Sequence, residues 1–227
     1  MNSTNQKRLA KDIVDIIKNP LTSNGIYYKH DESDMLTGYA LIMGPCDTIY
    51  NHGYYFFKLK FTEEYPYKPP VLEYLTNEDR IRFHPNLYMN GKVCLSLLNT
   101  WSGEQWTSCQ TIRTILLTLV TLFHNKPLLN EPGITEKYKH FNDYNKIIHY
   151  SNLKTAIVSV LQKKIPLFDK FEDIILENFQ KNKDSILKSI NDKKNDKKKT
   201  IKIGIYDRME CTMDYEKVYN DFIKICE

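Results

Sequence analysis

The chain has 227 residues, 41% of them apolar, and its 32 basic and 28 acidic side chains leave a formal charge of +4. That apolar share suits one globular core with an appended subdomain, and so mild a charge argues against a nucleic-acid partner. The longest apolar patch, near residues 115–122, is too short to span a bilayer, the polar start 1–8 does not read as a secretory leader, and Asn2, where a glycine is required, excludes N-myristoylation.

In chain order, residues 4–18 predict a helix with Leu9, Ile13, Ile16 and Ile17 as its apolar stripe, stopped by Asn19-Pro20; Lys7, Arg8, Lys11 and Lys18 lie off that stripe. Residues 24–30 and 36–43 read as strands, the second broken by Gly44-Pro45. A third strand, 54–61, sets Tyr55, Phe57, Leu59 and Phe61 against Phe56, Lys58 and Lys60. Pro66, Pro69 and Pro70 force an extended connection to a fourth strand at 71–75, and the short turns make the four an antiparallel meander. Residues 76–107 lack periodicity, which in a compact domain marks a functional loop or a misread element. Helix returns at 110–123, a turn follows at Asn130-Glu131-Pro132-Gly133, and one or two helices fill 136–164 up to Pro166. Beyond it, helical spacing runs from Phe168 to Ile190, a lysine-rich loop follows at 192–199, residues 200–206 suggest a strand, and 213–226 a last helix. The loop's short run of lysines reads as solvated, with nuclear import or an acidic partner as the other reading. The tail is too apolar for disorder and predicts docking on the core.

The chemistry concentrates in His84-Pro85-Asn86-Leu87-Tyr88-Met89-Asn90-Gly91-Lys92-Val93-Cys94-Leu95-Ser96. A cysteine follows Asn86 by eight residues; Tyr65-Pro66-Tyr67-Lys68-Pro69-Pro70 precedes the segment and Trp106 follows it. Sulfur is a strong nucleophile, and its thioester keeps enough free energy to form an amide. An ordinary thiol, with a pKa of about 8.5, supplies some thiolate without special activation. Asn86 offers a neutral donor for the oxyanion of acyl transfer, or a brace for its own loop, and Pro85 would fix the turn that presents it. His84 admits two readings: a structural histidine, or the base of a Cys–His hydrolase with Cys94 as nucleophile. A base beside a stored thioester would promote its hydrolysis. The five cysteines, Cys46, Cys94, Cys109, Cys211 and Cys226, are odd in number, irregularly spaced and without a C-x-x-C pair. They point away from zinc and a disulfide framework and towards a reducing cytosol or nucleus.

Taken together, these stretches resemble the ubiquitin-conjugating (E2) family. The resemblance covers roughly residues 4–165. It is greatest to the large-E2 branch that includes ubiquitin-conjugating enzyme E2 Z, through the runs 80–88 and 91–101 and through Asn130-Glu131-Pro132-Gly133. It implies an α+β core at 1–165, with an N-terminal helix, a four-stranded antiparallel sheet and C-terminal helices. A mainly helical extension at 166–227 would pack on that core. It further implies ubiquitin or a ubiquitin-like protein carried as a thioester on Cys94, an E1 activating enzyme as donor, lysine substrates, an E3 ligase where one is used, and no cofactor or metal. Lys7, Arg8 and Lys11 map to the helix that meets E1 and E3; Tyr67 and Ser108 map to the ligase-contacting loops. Glu131 maps near an acidic gate residue that would orient the incoming lysine; its other reading is a turn cap. Three features depart from the compact pattern: Ser96 stands where many members carry Asp, Ser108 where many carry Pro, and Trp106 lies twelve residues after Cys94, farther than in compact members. A non-catalytic E2-like adaptor is the alternative, against which stands the presence of both Cys94 and Asn86.

Overall fold

The computed structural model describes residues 3–227, so the reading at Asn2 lies outside the described residues. The first helix, α1 (Ser3–Lys18), turns the face Asn5, Leu9, Asp12 and Ile16 inward. These positions are four, three and four apart, the spacing of one helical face. Ile17, expected on that stripe, is 58% exposed because it sits one residue off the face. Two polar residues take places there instead, and each has partners: Asn5 Nδ2 donates to the Glu63 carbonyl at 2.9 Å, and Asp12 accepts from Arg8 and from the Tyr65 hydroxyl.

Four strands follow, β1 (Ile26–His30), β2 (Thr37–Met43), β3 (Tyr54–Lys60) and β4 (Val71–Tyr74), in the order β1-β2-β3-β4. All three pairings are antiparallel, with Leu41 opposite Phe56 and Phe57 opposite Tyr74. One face carries Ala40, Ile42, Tyr55, Phe57, Leu59 and Leu72 into the main core, together with α2 (Ile112–Val120) and α3 (Phe141–Ser151). A capping box between Thr111 and Thr114 starts α2. Helix α3 runs on through a π-helical stretch, Asn152–Ser159, where the buried Asn152 accepts from the Tyr55 hydroxyl at 2.6 Å and donates to the Asn51 carbonyl at 2.9 Å.

The other face of the sheet is also dry. Tyr39, Leu41, Tyr54 and Phe56 pack with Val160, Ile165, Phe168, Phe171 and Ile175. Val160 and Ile165 follow the π-helical stretch, Phe168 and Phe171 belong to the turn before α4 (Glu172–Asn191), and Ile175 is in α4 itself. After α4 the expected strand at 200–206 is shorter, β5 (Lys199–Lys202), and it pairs with β6 (Glu210–Met213), a four-residue strand too brief to read from sequence. The chain leaves β5 early because residues 206–208 turn left-handed. The last helix, α5 (Tyr215–Cys226), begins later than expected, at an N-cap made by Asp214, whose side chain accepts from the Lys217 amide at 3.0 Å. Among the described residues no helix is long and apolar enough to cross a membrane, and all five cysteines are free thiols.

Phe171 is fully buried against the outer face. Phe171→Ala should therefore cost about 3–5 kcal/mol of stability, read as a lower urea midpoint; a midpoint unchanged from the native chain would mean that this contact does not hold the extension down.

Candidate active site

The spacing of Asn86 and Cys94 has a geometric cause. The chain turns back at Asn90-Gly91, where Gly91 takes φ +86° and the Gly91 amide donates to the Tyr88 carbonyl at 2.9 Å. The Tyr88 amide donates to the Lys92 carbonyl at 2.9 Å, and Leu87 bridges Val93. Asn86 and Cys94 therefore end opposite each other and are bonded in both directions. The Cys94 amide donates to the Asn86 carbonyl at 2.9 Å, and Asn86 Nδ2 donates to the Cys94 carbonyl at 2.7 Å. Cys94 is 2% exposed and Asn86 4%.

The turn before this hairpin is built by His84-Pro85-Asn86. The Leu87 amide donates to the His84 carbonyl at 2.9 Å, and the Asn86 amide donates to His84 Nδ1 at 3.0 Å. An amide can only donate, so Nδ1 is the acceptor and a neutral ring carries its proton on Nε2. The ring is fully buried, and burial, then His124 and Arg82, hold its pKa well below the ordinary histidine value. A neutral His84 whose lone pair is engaged by its own turn has none to offer Cys94. The hydrolase reading with His84 as base therefore fails, and the structural reading stands.

Behind Asn86 lies a second layer. Asn130 Nδ2 donates to Asn86 Oδ1 at 3.4 Å, and Asn130 Oδ1 is 3.2 Å from His124 Nε2. His124 Nδ1 accepts from the Lys126 amide at 3.2 Å, which makes Nε2 the donor to Asn130. On the far side of Cys94, Thr100 Oγ1 accepts from the Leu95 amide at 2.9 Å and lies 3.2 Å from the Val93 carbonyl, pinning both flanks of the cysteine. Ser96 opens a short 3-10 turn, Ser96–Leu98. The enlarged loop folds back over it at Gly103 (φ +130°), where a Cβ would fall 3.0 Å from Ser96 Cβ. Glu131 follows the turn Pro127–Asn130, and its Oε2 accepts from the Tyr206 hydroxyl at 2.7 Å. Sequence reasoning missed Thr100, His124 and Tyr206 as site residues. A threonine six residues after the cysteine carries no pattern, and the other two are brought in by tertiary packing.

The surface mapped to E1 and E3 lies on α1 and two loops. Lys7, Lys11, Ser108 and Tyr67 are exposed, Tyr67 at 69%. Arg8 differs: its guanidinium pairs with Asp12 at 3.0 Å and donates to the Ser108 and Gln110 carbonyls, each at 2.7 Å. Its charge is directed inward, binding α1 to the loop of Ser108. Trp106 Nε1 donates to the Pro66 carbonyl at 2.6 Å, which joins that loop to the one bearing Tyr67. No cluster of His, Cys, Asp or Glu suited to a metal occurs among the described residues.

A buried thiol on a turn with a facing asparagine, on a helix–meander–helix frame, defines a ubiquitin-conjugating enzyme fold. The sequence model of the family described as ubiquitin-conjugating enzyme matches residues 8–154, and the chain belongs to that family. Among its relatives is ubiquitin-conjugating enzyme E2 Z, 35% identical over 76% of the chain in both Xenopus tropicalis and Homo sapiens, where the match covers 55% and 49% of the relative. The probable ubiquitin-conjugating enzyme protein 17 of Caenorhabditis elegans is 35% identical over 80% of the chain and 26% of its own length. The chain thus spans about half the length of the E2 Z relatives it matches.

The state of His84 gives a signed pH dependence. Below about pH 6.5 the unfolded chain takes up a proton that the folded ring resists, so stability falls on acidification with a slope approaching 1.4 kcal/mol per pH unit for this group. Burial lowers His30, His52 and His149 in the same direction. His84→Asn places an acceptor near the site of Nδ1 and removes the titration; urea midpoints at pH 7 and pH 5 should then converge relative to the native chain, and an equally steep decline would contradict the assignment.

Proposed function

We propose that this chain is an E2 enzyme that carries ubiquitin or a ubiquitin-like protein on Cys94. The observation that supports this best is the two-way bond between Asn86 and Cys94, beside a histidine with no lone pair free to act as a base. Cys94 Sγ attacks the thioester carbonyl of the modifier held by an E1 activating enzyme, and the donor's thiolate departs. A lysine amine then attacks the new thioester, the oxyanion collapses, the C–S bond breaks and Cys94 leaves as thiolate. Asn86 Nδ2 has two hydrogens, of which one serves the Cys94 carbonyl and the other would stabilise the oxyanion. Glu131 would orient the amine and take up its proton. Magnesium and ATP act at the E1 enzyme, so this chain needs no cofactor.

Lys7 and Lys11 would steer an acidic E1 domain, Arg8 would hold their helix against the Ser108 loop, and Tyr67 with Ser108 would face an E3 ligase. Ser108, where many ligase-binding members carry Pro, stands against ordinary RING partnership. Free thiols throughout suit a cytosolic or nuclear setting.

A charging assay tests the reading. With ubiquitin or a ubiquitin-like modifier, a panel of E1 enzymes, ATP and magnesium, a thiol-sensitive adduct should form and vanish in Cys94→Ala. Asn86→Ala should discharge to lysine more slowly by about a hundredfold, the loss of one oxyanion donor. A folded chain that takes no modifier from any E1 would favour the adaptor reading.

A further inference from the structure

The loop between β5 and β6 is more than a hundred residues from Cys94 in sequence, yet it reaches the site. The Met209 amide donates to the Ile205 carbonyl at 3.2 Å, closing one turn in which Tyr206, Asp207 and Arg208 have φ values of +57°, +56° and +58°. Side chains with a Cβ disfavour this left-handed region, and a run of three persists only where tertiary contacts hold it. Those contacts converge on Tyr206. Its hydroxyl donates to Glu131 Oε2 at 2.7 Å. Its ring lies 4.3 Å from the Arg82 guanidinium, which also lies 3.6 Å from the Tyr88 ring. Arg82 in turn donates through Nε to the Pro85 carbonyl at 3.2 Å, with Nη2 on the same oxygen. The Arg82 amide donates to Met209 Sδ at 3.3 Å, and the Tyr144 hydroxyl donates to the Arg82 carbonyl at 2.8 Å. One loop thus touches both halves of the site, the acid after Asn130 and the turn that presents Asn86. Burial pushes the Tyr206 hydroxyl well above the ordinary tyrosine range, so it remains a donor.

We infer that Tyr206 is a positioning residue for lysine transfer: its hydroxyl fixes the Glu131 carboxylate and its ring fixes Arg82, setting where the amine meets the thioester. The inference rests on the conjugating function proposed above. With Oε2 held by Tyr206, the other carboxylate oxygen accepts from the incoming amine. As the N–C bond forms and the C–S bond breaks, the amine proton passes to that carboxylate and then to water, and Cys94 leaves as thiolate.

Single-turnover discharge of the Cys94 thioester tests this, with free lysine and with hydroxylamine as nucleophiles. Hydroxylamine is small and uncharged at neutral pH and needs no carboxylate to orient it. Tyr206→Phe keeps the ring against Arg82 and deletes the hydrogen bond. It should slow discharge to lysine by about tenfold, the scale of one hydrogen bond to a charged group, while hydroxylamine discharge keeps its rate. Added to Glu131→Gln, it should cause no further loss, because both remove the same interaction. Three results would overturn the inference: a native lysine rate in Tyr206→Phe, equal slowing with both nucleophiles, or effects that multiply in the double variant. A variant that also loads more slowly by the factor it loses in discharge counts as equal slowing, since the hydroxyl would then serve the fold alone. If the native chain accepts no modifier, the conjugating function fails and the inference with it. If the native chain loads and discharges but Tyr206→Phe matches it, only the inference fails.

Discussion

The centre of the sheet has no wet side. Tyr54, Tyr55, Phe56 and Phe57 are consecutive residues of β3, and all are fully buried. Because successive strand residues point to opposite faces, both faces must be covered there, whereas an antiparallel sheet commonly leaves one to solvent. Helices α2 and α3 cover one face, and the segment 160–175, which runs into α4, covers the other. The cover has polar fixings as well, since the Tyr54 hydroxyl donates to Asn178 Oδ1 at 3.0 Å and Lys170 lies 4.3 Å from the Tyr39 ring. Once α4 is seated, the rest of the tail follows. Phe179 meets Phe222 of α5 edge-on at 5.8 Å, and Tyr150 meets Tyr215 at 5.1 Å. The β5–β6 loop is thereby carried to the rim of the site.

The site itself is held mostly by backbone. A hairpin sets Asn86 opposite Cys94, His84 closes the turn beneath, and Thr100 fastens the flanks. Nothing in this set is a strong base close to the sulfur by design of its bonds: the nearest imidazole in sequence has given its acceptor to the turn. For a thioester carrier this is an advantage. Water attacking the stored acyl group gains from a general base as much as an amine does. In the conjugating function proposed above, selectivity for an amine would then rest on where acid and donor groups stand, which would place the weight on Glu131 and Asn86.

Much of the fold was legible because it rests on local pattern. The stripe of α1, the alternation of β3 and the proline-rich connection each follow from a period or a stereochemical restriction. The spacing from Asn86 to Cys94 was legible for the same reason, since a hairpin pairs its own ends. What could not be read depends on distant partners. Alternation along β3 marked Tyr55 and Phe57 as inward but did not show that Phe56 is equally dry, because its cover lies more than a hundred residues onward. Arg8 looked like a free cation on a helix face; the carbonyls that hold it belong to Ser108 and Gln110. Glu131 was legible as a candidate acid, whereas its partner Tyr206 sits in a left-handed turn with no glycine to signal it.

The enlarged loop after Cys94 raises a further question, since added residues beside a reacting thiol would be expected to loosen it. The bonds show why they do not. The Trp106 amide donates to Asn99 Oδ1 at 2.9 Å, so the chain that leaves the site at Asn99 is tied again where it returns. The closure cost of such a loop grows only with the logarithm of its length, and the frame beyond it is fixed independently. Trp106 bonds the Pro66 carbonyl and packs on Tyr65, Tyr65 bonds Asp12, and Asp12 holds Arg8, which returns to the Ser108 loop. This circuit passes through α1 and both loops assigned to partner contact without using any residue of the insertion. Exposed Tyr67 and Ser108 therefore stand on a base fixed without the insertion, whose own close contact is with Ser96 at Gly103.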